Sequence, residues 1–363
     1  MWVCSDTLRD GLSLLRHYID GLDKQDALLL LEPATCGAAQ AQIQDLQSHF
    51  RPQNNKARYD YNTIIISLYG YLERFIEELI GEYLAILSSH VLRFSDLPSS
   101  IQLNHLALSL DLVRRADYQR NAGTIRVDEV VARLHSCFST PDRYQLNGQA
   151  YAQHNANFRQ SVVIETLGRC GLADIAPALR QSEPLTAFLK QEDPDRDMQT
   201  YLAAGDDVVF ARMNDLANRR NDVAHGMLVD DLLSRDFLRN YIGFVDAYAR
   251  GLGLVVYERT LPFRLPSAQK LGAAIRVIDH RIVCINLPSG QITVGDILIA
   301  RTQDPSRPYK AGPIKSIEQN NSSLVTINGD AGVKVGLSVE FGAKENQEFF
   351  VLRAPEALRR DAG

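Results

Sequence analysis

The chain has 363 residues, of which 45% are hydrophobic and 23% are charged, and this balance is that of an ordinary soluble protein with a sizeable core. The length is sufficient for two domains. The formal net charge is −5, which excludes a globally basic nucleic-acid-binding protein. Any contact with a polyanion must therefore come from a local patch of basic side chains.

The five cysteines are dispersed and include no Cys-x-x-Cys pair, which indicates reduced thiols and not a disulfide framework or a zinc site. The N-terminus lacks a basic region followed by an apolar core, and the chain has no run of about twenty apolar residues. We therefore expect a cytoplasmic protein without an export signal or a membrane segment.

The first predicted element is an amphipathic helix that is capped by Ser5 or Asp6 and runs through Leu22. A proline at position 33 is expected to end the leucine-rich run that follows, because the residue before a proline disfavours the helical conformation. A second amphipathic segment covers 38–50. Residues 51–56 are predicted to form a loop.

The longest periodic stretch, residues 60–90, predicts a core helix with a broad apolar face. Glu73 falls on that face beside Ile76, where an unpaired carboxylate would be costly. Two interpretations are open here. Either the carboxylate reaches water at the edge of the apolar stripe, or it pairs with Arg219 or Arg220 and orients the guanidinium group.

Helical patterns continue at 98–117 and 128–137, with a brief extended piece predicted at 124–127. Residues 140–158 are polar and are predicted to form a loop. This loop contains His154, which is a candidate for contact with a bound nucleic acid. The alternative is an ordinary solvated histidine.

A polar helix is predicted to end at Gly226, with Asp206 and Asp207 as candidate N-caps. Residues one or two turns apart form one stripe of this helix: Asn214, Asn218, Asn221 and His225. Arg219 and Arg220 flank the stripe. The stripe therefore places arginine, amide and histidine side chains near one another.

Arg220, Asn221 and His225 are the residue types that the cleavage of a phosphodiester requires. Histidine titrates near neutral pH and can move a proton, while the guanidinium group offers a planar fork of donors to a phosphate. From spacing alone, the alternative of a solvated helix face with one surface histidine is open.

The segment Arg220-Asn-Asp-Val-Ala-His-Gly226 resembles the signature of the HEPN superfamily, in which an arginine precedes a histidine by about four to six positions. Residues 157–172 and the helix around Glu73 resemble the HEPN group found beside prokaryotic defence genes. Together these segments cover most of residues 1–255. The resemblance implies an all-α ribonuclease domain that cuts RNA without a metal or another cofactor, commonly across a homodimer interface.

The resemblance also implies roles for individual residues. Arg220 would stabilise charge on the scissile phosphate, and His225 would transfer the proton. Asn221 would position the phosphate or sugar, and Glu73 would orient the arginine. Two neighbouring residues are further candidates for substrate binding: Arg219 and Asn218.

Near Leu261 the pattern changes from period 3.6 to period 2, and Pro262 and Pro266 are predicted to mark a linker. Short alternating runs between Gly, Pro and Asn turns then predict a small β-barrel. Three segments are similar to the second domain of translational GTPases such as elongation factor Tu: 289–298, 312–318 and 332–337. The chain has no phosphate-binding loop, so this similarity implies no nucleotide hydrolysis.

The sequence thus predicts a multi-domain fold, with an all-α HEPN-like domain at 1–260 followed by a small all-β barrel at 261–363. Lys and Arg slightly outnumber Asp and Glu in the barrel, whereas the helical domain is acidic. Lys310, Lys315 and Lys334 are therefore candidate phosphate contacts. The alternative is that the barrel docks the helical domain or a protein partner.

Two functional hypotheses follow. The first is a metal-independent endoribonuclease that acts on RNA, with a role as a toxin or antiphage defence effector implied by the resemblance alone. The second is a catalytically inactive scaffold in which the HEPN domain dimerises and the barrel recognises RNA or protein. The intact Arg220, Asn221 and His225 favour the first.

Overall fold

The structure is a computed structural model that describes residues 2–30, 40–50, 54–116, 125–139, 143–227, 231–305, 307–329 and 332–353. A helical region is followed by an all-β region, as the sequence predicts. The proline at position 33 and residue Thr124 lie outside the described residues.

The helical region consists of helices of very different lengths. In chain order they are α1 (Val3–Leu29), α2 (Gln40–Phe50), α3 (Asn54–His90), α4 (Ser99–Arg115), α5 (Val127–Ser139), α6 (Gly148–Ala152), α7 (Gln160–Gly168), α8 (Ile175–Arg180), α9 (Glu183–Glu192), α10 (Met198–Ala203), α11 (Asp206–Val209), α12 (Ala211–Ala224) and α13 (Arg235–Arg264). Short 3-10 turns cover Phe94–Asp96 and Leu265–Ser267.

The long helix α3 is the centre of the helical region, and α1, α6, α12 and α13 all pack against it. Its apolar positions recur at helical spacing, and Leu68, Leu72 and Leu79 are fully buried. Burial of these side chains removes apolar surface from water and supplies most of the stability of such a bundle. The predicted core helix is thus confirmed, and it begins at Asn54, within the predicted loop.

The N-terminus of α1 is capped from α3 and not by its own sequence. Glu82 accepts hydrogen bonds from the backbone N–H groups of Val3 (2.9 Å) and Cys4 (2.8 Å). The predicted caps Ser5 and Asp6 lie inside the helix, which begins at Val3. A carboxylate at this position satisfies free N–H donors and complements the helix dipole.

The predicted helix that ends at Gly226 is divided into α11 and α12 by a break at Phe210. Gly205 takes the N-cap position of α11 with a φ of 97°, so neither Asp206 nor Asp207 is a cap. The break turns Phe210 into the core, where it is fully buried. The predicted stop is confirmed, because Gly226 has a φ of 68°, which favours glycine.

Two further segments differ from the sequence prediction. The predicted loop at 140–158 contains the short helix α6, whose Tyr151 is fully buried and donates a hydrogen bond to the carbonyl of Ile101 (2.8 Å). Residues 125–126 form no strand, and Val127 begins α5. Tertiary packing decides both segments, and a local pattern does not report it.

The predicted linker at Pro262 is instead the last turn of α13, which continues to Arg264. Leu261 is fully buried, so the apolar face of the helix extends past the expected boundary. The change from helix to strand falls at Gln269, where the first strand begins.

The β region contains short antiparallel strands. They are β1 (Gln269–Ala273), β2 (Arg276–Ile278), β3 (Ile282–Leu287), β4 (Gly290–Thr293), β5 (Ile297–Arg301), β6 (Tyr309–Pro313), β7 (Ser316–Gln319), β8 (Ser322–Leu324), β9 (Thr326–Gly329), β10 (Val333–Ser338) and β11 (Glu348–Leu352). Their order is β1-β11-β5-β6 in one sheet, β2-β3-β10-β7-β8 in a second and β4-β9 in a third.

Hairpin turns set the register within the five-stranded sheet. The backbone N–H of Arg281 donates to the carbonyl of Ile278 (3.0 Å) across Asp279 and His280, which both have positive φ angles. Gln319 pairs with Ser322 across two asparagines that also have positive φ angles. Two consecutive residues of this kind are what a tight two-residue hairpin requires, and Asn and Asp adopt them most readily after glycine.

The two larger sheets share one core, formed by alternating side chains such as Val283 and Ile285 of β3 and Leu298 and Phe349 of β5 and β11. This alternation is the period-2 pattern that the sequence shows. Among the described residues, the hydrogen-bonded ladders do not join the sheets into one closed barrel.

The helical and β regions are joined by packing and by a buried ion pair. Arg307 donates from Nε and Nη2 to the two carboxylate oxygens of Glu258 on α13, at 2.6 Å each. Ile299 and Phe350 of the β region belong to the apolar cluster of the helices. Within the ranges that the structure describes, no helix is long and apolar enough to cross a membrane.

Candidate functional site

Helix α12 turns its inner face toward α3, and Arg220 lies on this side. Met213, Leu216 and Ala217 of the same face are buried. The guanidinium carbon of Arg220 lies 5.2 Å from the ring centroid of Tyr69 on α3, which is a cation–π contact. Across the described part of the chain, the Arg220 guanidinium forms no hydrogen bond and no ion pair.

Tyr69 connects Arg220 with Glu73. Its hydroxyl donates to Oε1 of Glu73 (3.3 Å) and accepts from the backbone N–H of Phe158 (2.7 Å). Burial raises the pKa of Glu73, and this effect outweighs the attraction of nearby His154 and Arg220, which lowers it. Glu73 therefore faces the Arg220 side chain, but through Tyr69 and without a direct ion pair.

His154 belongs to this site, and the sequence did not indicate where its ring lies. Its Nε2 is 3.3 Å from Oε1 of Glu77 and 3.7 Å from Oε1 of Glu73. Its Nδ1 is 2.8 Å from the carbonyl oxygen of Ala156, and its ring centroid is 4.0 Å from that of Phe158. Only 13% of the side chain is exposed, so the interpretation as an ordinary solvated histidine is wrong.

The amide stripe of α12 holds the segment that leads into α7. Asn157 donates from Nδ2 to Oδ1 of Asn221. Arg159 donates from Nη2 to Oδ1 of Asn218 (2.6 Å), and the backbone N–H of Gln160 donates to Oδ1 of Asn214 (3.0 Å). Three of the four predicted stripe residues therefore bind the same segment, each through its side-chain oxygen.

A cleft of about 540 Å³ opens beside this stripe, lined by Arg159, Gln160, Ser161, Ile164, Asp206, Asp207, Asn214 and Asn218. Gln160 is buried and its Oε1 accepts from the hydroxyl of Tyr248 (2.7 Å). Its Nε2 has no partner among the described residues. The cleft thus offers amides, one guanidinium group and two carboxylates to a polar ligand.

His225 lies at the C-cap of α12 and its side chain is exposed. Its backbone N–H donates to the carbonyl of Asn221 (2.9 Å). Its imidazole makes no hydrogen bond within the described ranges. The structure therefore places Arg220 and His225 at one end of one helix, with Arg220 turned inward and His225 turned toward solvent.

Arg219 has a structural position, which argues against its predicted role in binding substrate. It donates to Oδ2 of Asp215 (2.6 Å) and to the hydroxyl of Tyr61 (2.9 Å), and to the carbonyl of Asp231 (3.1 Å). Tyr241 also donates to Asp215. With its donors directed to these partners, Arg219 braces α12 against α3 and α13.

The three predicted lysines lie in the β region and none of them contacts the Arg220 site. Lys310 is half-buried, and its Nζ is 3.4 Å from the carbonyl of Gly342. Burial and the neighbouring Arg307 lower the pKa of Lys310. Lys315 forms an exposed ion pair with Glu340 (3.1 Å), and Lys334 is exposed on β10.

Sequence reasoning missed Tyr69 and Asn157, and it also missed the contacts of His154 with Glu73 and Glu77. One signal was available. Glu73 and Glu77 lie one turn apart on α3, and two carboxylates at that spacing repel each other unless a cation lies between them. The sequence could not show which cation does so, because His154 is 77 residues from Glu77.

The family model described as RiboL-PSP-HEPN matches residues 39–254 of the chain. The match covers α3, the segment that carries His154 and the whole of α12. The β region lies outside the match. No curated protein matches the chain.

Proposed function

Because the chain belongs to the RiboL-PSP-HEPN family, and HEPN domains are commonly ribonucleases, we propose that it is an endoribonuclease that cuts RNA without a metal. Arg220 and His225 carry the reaction. Asn221 positions the phosphate or the sugar, and Glu73 orients Arg220 through the hydroxyl of Tyr69. The similarity to prokaryotic defence proteins extends the proposal to a role as a toxin or antiphage effector.

The observation that supports this proposal most directly is the state of the Arg220 side chain. Its guanidinium group rests on the Tyr69 ring and forms no ion pair within the described ranges, although Glu73 lies close enough to be affected by its charge. An arginine held only by a ring face keeps its N–H donors for an anion. A phosphate is the anion that this fork fits best.

The reaction uses groups that the chain itself supplies. The 2′-oxygen of the ribose forms a bond to phosphorus while the bond from phosphorus to the 5′-oxygen breaks. The 2′-hydroxyl loses a proton and the departing 5′-oxygen gains one. His225 mediates this proton transfer, and Arg220 stabilises the charge on the phosphate oxygens. The products are a 2′,3′-cyclic phosphate and a 5′-hydroxyl end, so DNA is not a substrate.

The cleft beside α12 suggests where the rest of the RNA lies. Asn218 lines this cleft with Asn214 and Arg159, about one turn of helix before Asn221. Donors and acceptors of this kind suit a nucleobase or a ribose better than an apolar ligand. RNA that enters the cleft reaches the Arg220 end of α12.

A direct test compares cleavage of total cellular RNA, in the presence of EDTA, by the wild-type protein and by His225→Ala. His17→Ala is the matched control, because His17 is also an exposed histidine but lies on α1. We expect new ends with cyclic phosphates for the wild type and the control, and none for His225→Ala. Cutting that is common to all three proteins would remove His225 from the mechanism. Loss of cutting by the wild type in EDTA would overturn the metal-free mechanism.

A further inference from the structure

The ring of His154 is held at both nitrogens by groups that only accept hydrogen bonds. Nδ1 faces the carbonyl oxygen of Ala156 at 2.8 Å, and Nε2 faces carboxylate oxygens of Glu77 and Glu73 at 3.3 and 3.7 Å. A neutral imidazole carries one N–H, so it can satisfy only one of these two sides. This environment therefore favours the imidazolium form, which has a hydrogen on each nitrogen.

The positive charges of His154 and Arg220 both act on Glu73, and the two residues lie on different segments of the chain. Arg220 comes from α12 and His154 from the segment before α7. His154 lies within ion-pair distance of Glu73, whereas Arg220 contacts the ring of Tyr69. Neutralisation of Glu73 by His154 weakens the pull of that carboxylate on the guanidinium group.

Resting on the ribonuclease function proposed above, we propose that His154 is a positioning residue for Arg220. As an imidazolium, His154 forms ion pairs with Glu73 and Glu77. The Arg220 guanidinium then stays on the Tyr69 ring and binds the RNA phosphate. Without that charge, Glu73 draws Arg220 into an ion pair, and the donors meant for the phosphate are used within the protein.

The segment around His154 has the contacts that such a role requires. Asn157 connects it to Asn221, the residue after Arg220, and the N–H of Phe158 bonds to the Tyr69 hydroxyl. A shift of the His154 ring would therefore also displace Asn221 and Tyr69, which both lie next to the guanidinium group. This coupling runs through direct contacts, with no need for a change elsewhere in the fold.

The charged groups around His154 set the pH range of the effect. Burial alone lowers the pKa of His154, but the hydrogen bonds to Glu77 and Ala156 and the attraction of Glu73 raise it above its ordinary value. Arg115 and Arg169 bind Gln153 next to it, and Arg220 lies across Tyr69. The stabilisation by the ion pairs is complete below the ordinary pKa of histidine and is lost as the pH rises through the raised value.

The test that does not depend on RNA is NMR of the Arg220 side chain. We would record the Nε–H resonance of Arg220 in the wild type, in His154→Gln and in the double variant His154→Gln/Glu73→Gln, with His17→Gln as control. Arg220→Lys identifies the signal. We expect the resonance to move and to exchange more slowly with water in His154→Gln, as Arg220 closes onto Glu73, and to return in the double variant. An unchanged resonance in His154→Gln, or the same shift in the single and double variants, would overturn the proposal.

The second readout is binding of a single-stranded RNA whose riboses are 2′-O-methylated and therefore cannot be cut. We expect affinity to fall on the order of 10- to 100-fold in His154→Gln, which corresponds to the loss of a hydrogen bond to a charged group. The added Glu73→Gln change should restore most of it, because the glutamine oxygen still accepts from the Tyr69 hydroxyl and carries no charge that draws Arg220 away. A loss that is the same in both variants would mean that His154 supports only the fold and would overturn the positioning role. If the wild type cuts no RNA but the Arg220 resonance responds as expected, the ribonuclease proposal fails and the positioning of Arg220 stands.

Discussion

The side-chain amide of Asn157 donates to Oδ1 of Asn221, which fixes the orientation of the amide next to Arg220. The Nδ2 donors of Asn221 are then directed away from Asn157 and are available to a phosphate or a sugar oxygen. One residue before α7 thus sets the direction in which a predicted substrate contact acts.

We therefore expect Asn157→Ala to lower kcat/KM for RNA cleavage about 2- to 10-fold, because the lost hydrogen bond contributes about 0.5–1.5 kcal/mol. The fold should be retained, because Asn157 is only partly buried. Steady-state kinetics on a defined RNA measures the effect. Asn286→Ala, an exposed asparagine on β3, is the control. Equal rates for both variants would show that Asn221 does not depend on Asn157 for its orientation.

Arg219 and Arg220 are adjacent but are predicted to differ in their effects. Arg219 bonds to Asp215 and Tyr61, so Arg219→Ala should lower the free energy of unfolding by about 1.5–3 kcal/mol, as for hydrogen bonds to charged groups. Arg220 has a cation–π contact, worth about 0.5–1 kcal/mol, so Arg220→Ala should affect stability less and cleavage more. Urea denaturation and RNA cleavage, measured on both variants, separate the two roles. The reverse order would assign the site to Arg219.

At this pair of arginines, the local sequence pattern reveals some features of the site and not others. Helical spacing places Arg219, Arg220 and His225 on one helix, and the HEPN signature selects Arg220. Spacing does not reveal that Phe210 breaks the helix, because its ring packs against Tyr248 of the distant α13. Nor does it reveal that Tyr61 of α3 engages Arg219. The partners of Glu73 and Glu77 were hidden for the same reason.

The overall architecture could be predicted from the sequence more completely than the site. Apolar residues recur with period 3.6 in a helix and period 2 in a strand because only one face of each element is buried. The buried face of α3 and the β strands can therefore be predicted from the pattern. The end of α13 did not, since Pro262 predicts a stop that the buried Leu261 overrides. A proline in the last turn of a helix removes few hydrogen bonds, and burial of the neighbouring side chain compensates.

Loss of the ion pair between Glu258 and Arg307 should make the stability of the junction between the helical and β regions depend on pH. Burial raises the pKa of Glu258, and Arg307 opposes this effect. Arg307→Ala leaves a buried carboxylate without its partner, at a cost of about 3–5 kcal/mol. With the folded-state pKa raised further, the folded state binds more protons than the unfolded one. Stability is then lost as the pH rises above the ordinary value for glutamate.

Thermal unfolding of Arg307→Ala at pH 5 and pH 7.5 measures this difference, with the larger loss expected at pH 7.5. Arg301→Ala is the control, because Arg301 pairs with Glu348 at the surface. A loss that does not vary with pH would mean that Glu258 stays ionised or reaches water in the variant. Glu258→Gln in the Arg307→Ala background should then give no recovery.

A homodimer is expected from the position of His225, which faces solvent while Arg220 is turned inward on the same helix. Two copies related by a two-fold axis can bring His225 of one protomer to Arg220 of its partner. In that case a mixture of Arg220→Ala and His225→Ala, each inactive alone, should recover about one quarter of the wild-type activity through mixed dimers. Light scattering that shows only a monomer at micromolar concentration, with full activity, would sink this prediction.

Lys315 and Lys334 of the β region are the remaining candidates for contact with RNA phosphates. Deletion of residues 261–363 is a poor test of RNA binding by these lysines. It would remove Arg307, the partner of the buried Glu258, and would expose the apolar surface of the helices that Ile299 covers. Single substitutions keep the chain folded. Lys310 is also unsuitable, because it is half-buried beside Gly342.

Lys315→Ala and Lys334→Ala should each weaken RNA binding without a change in the rate of the cleavage step, since no proposed catalytic residue lies in the β region. Each lost phosphate contact should reduce the slope of log affinity against log salt by about 0.7 for single-stranded RNA. Lys270→Ala, at a lysine paired with Glu348 on β1, is the matched control. If all three variants bind RNA as the wild type does at every salt concentration, the β region does not hold RNA through these lysines. A protein partner then becomes the better explanation for its exposed face.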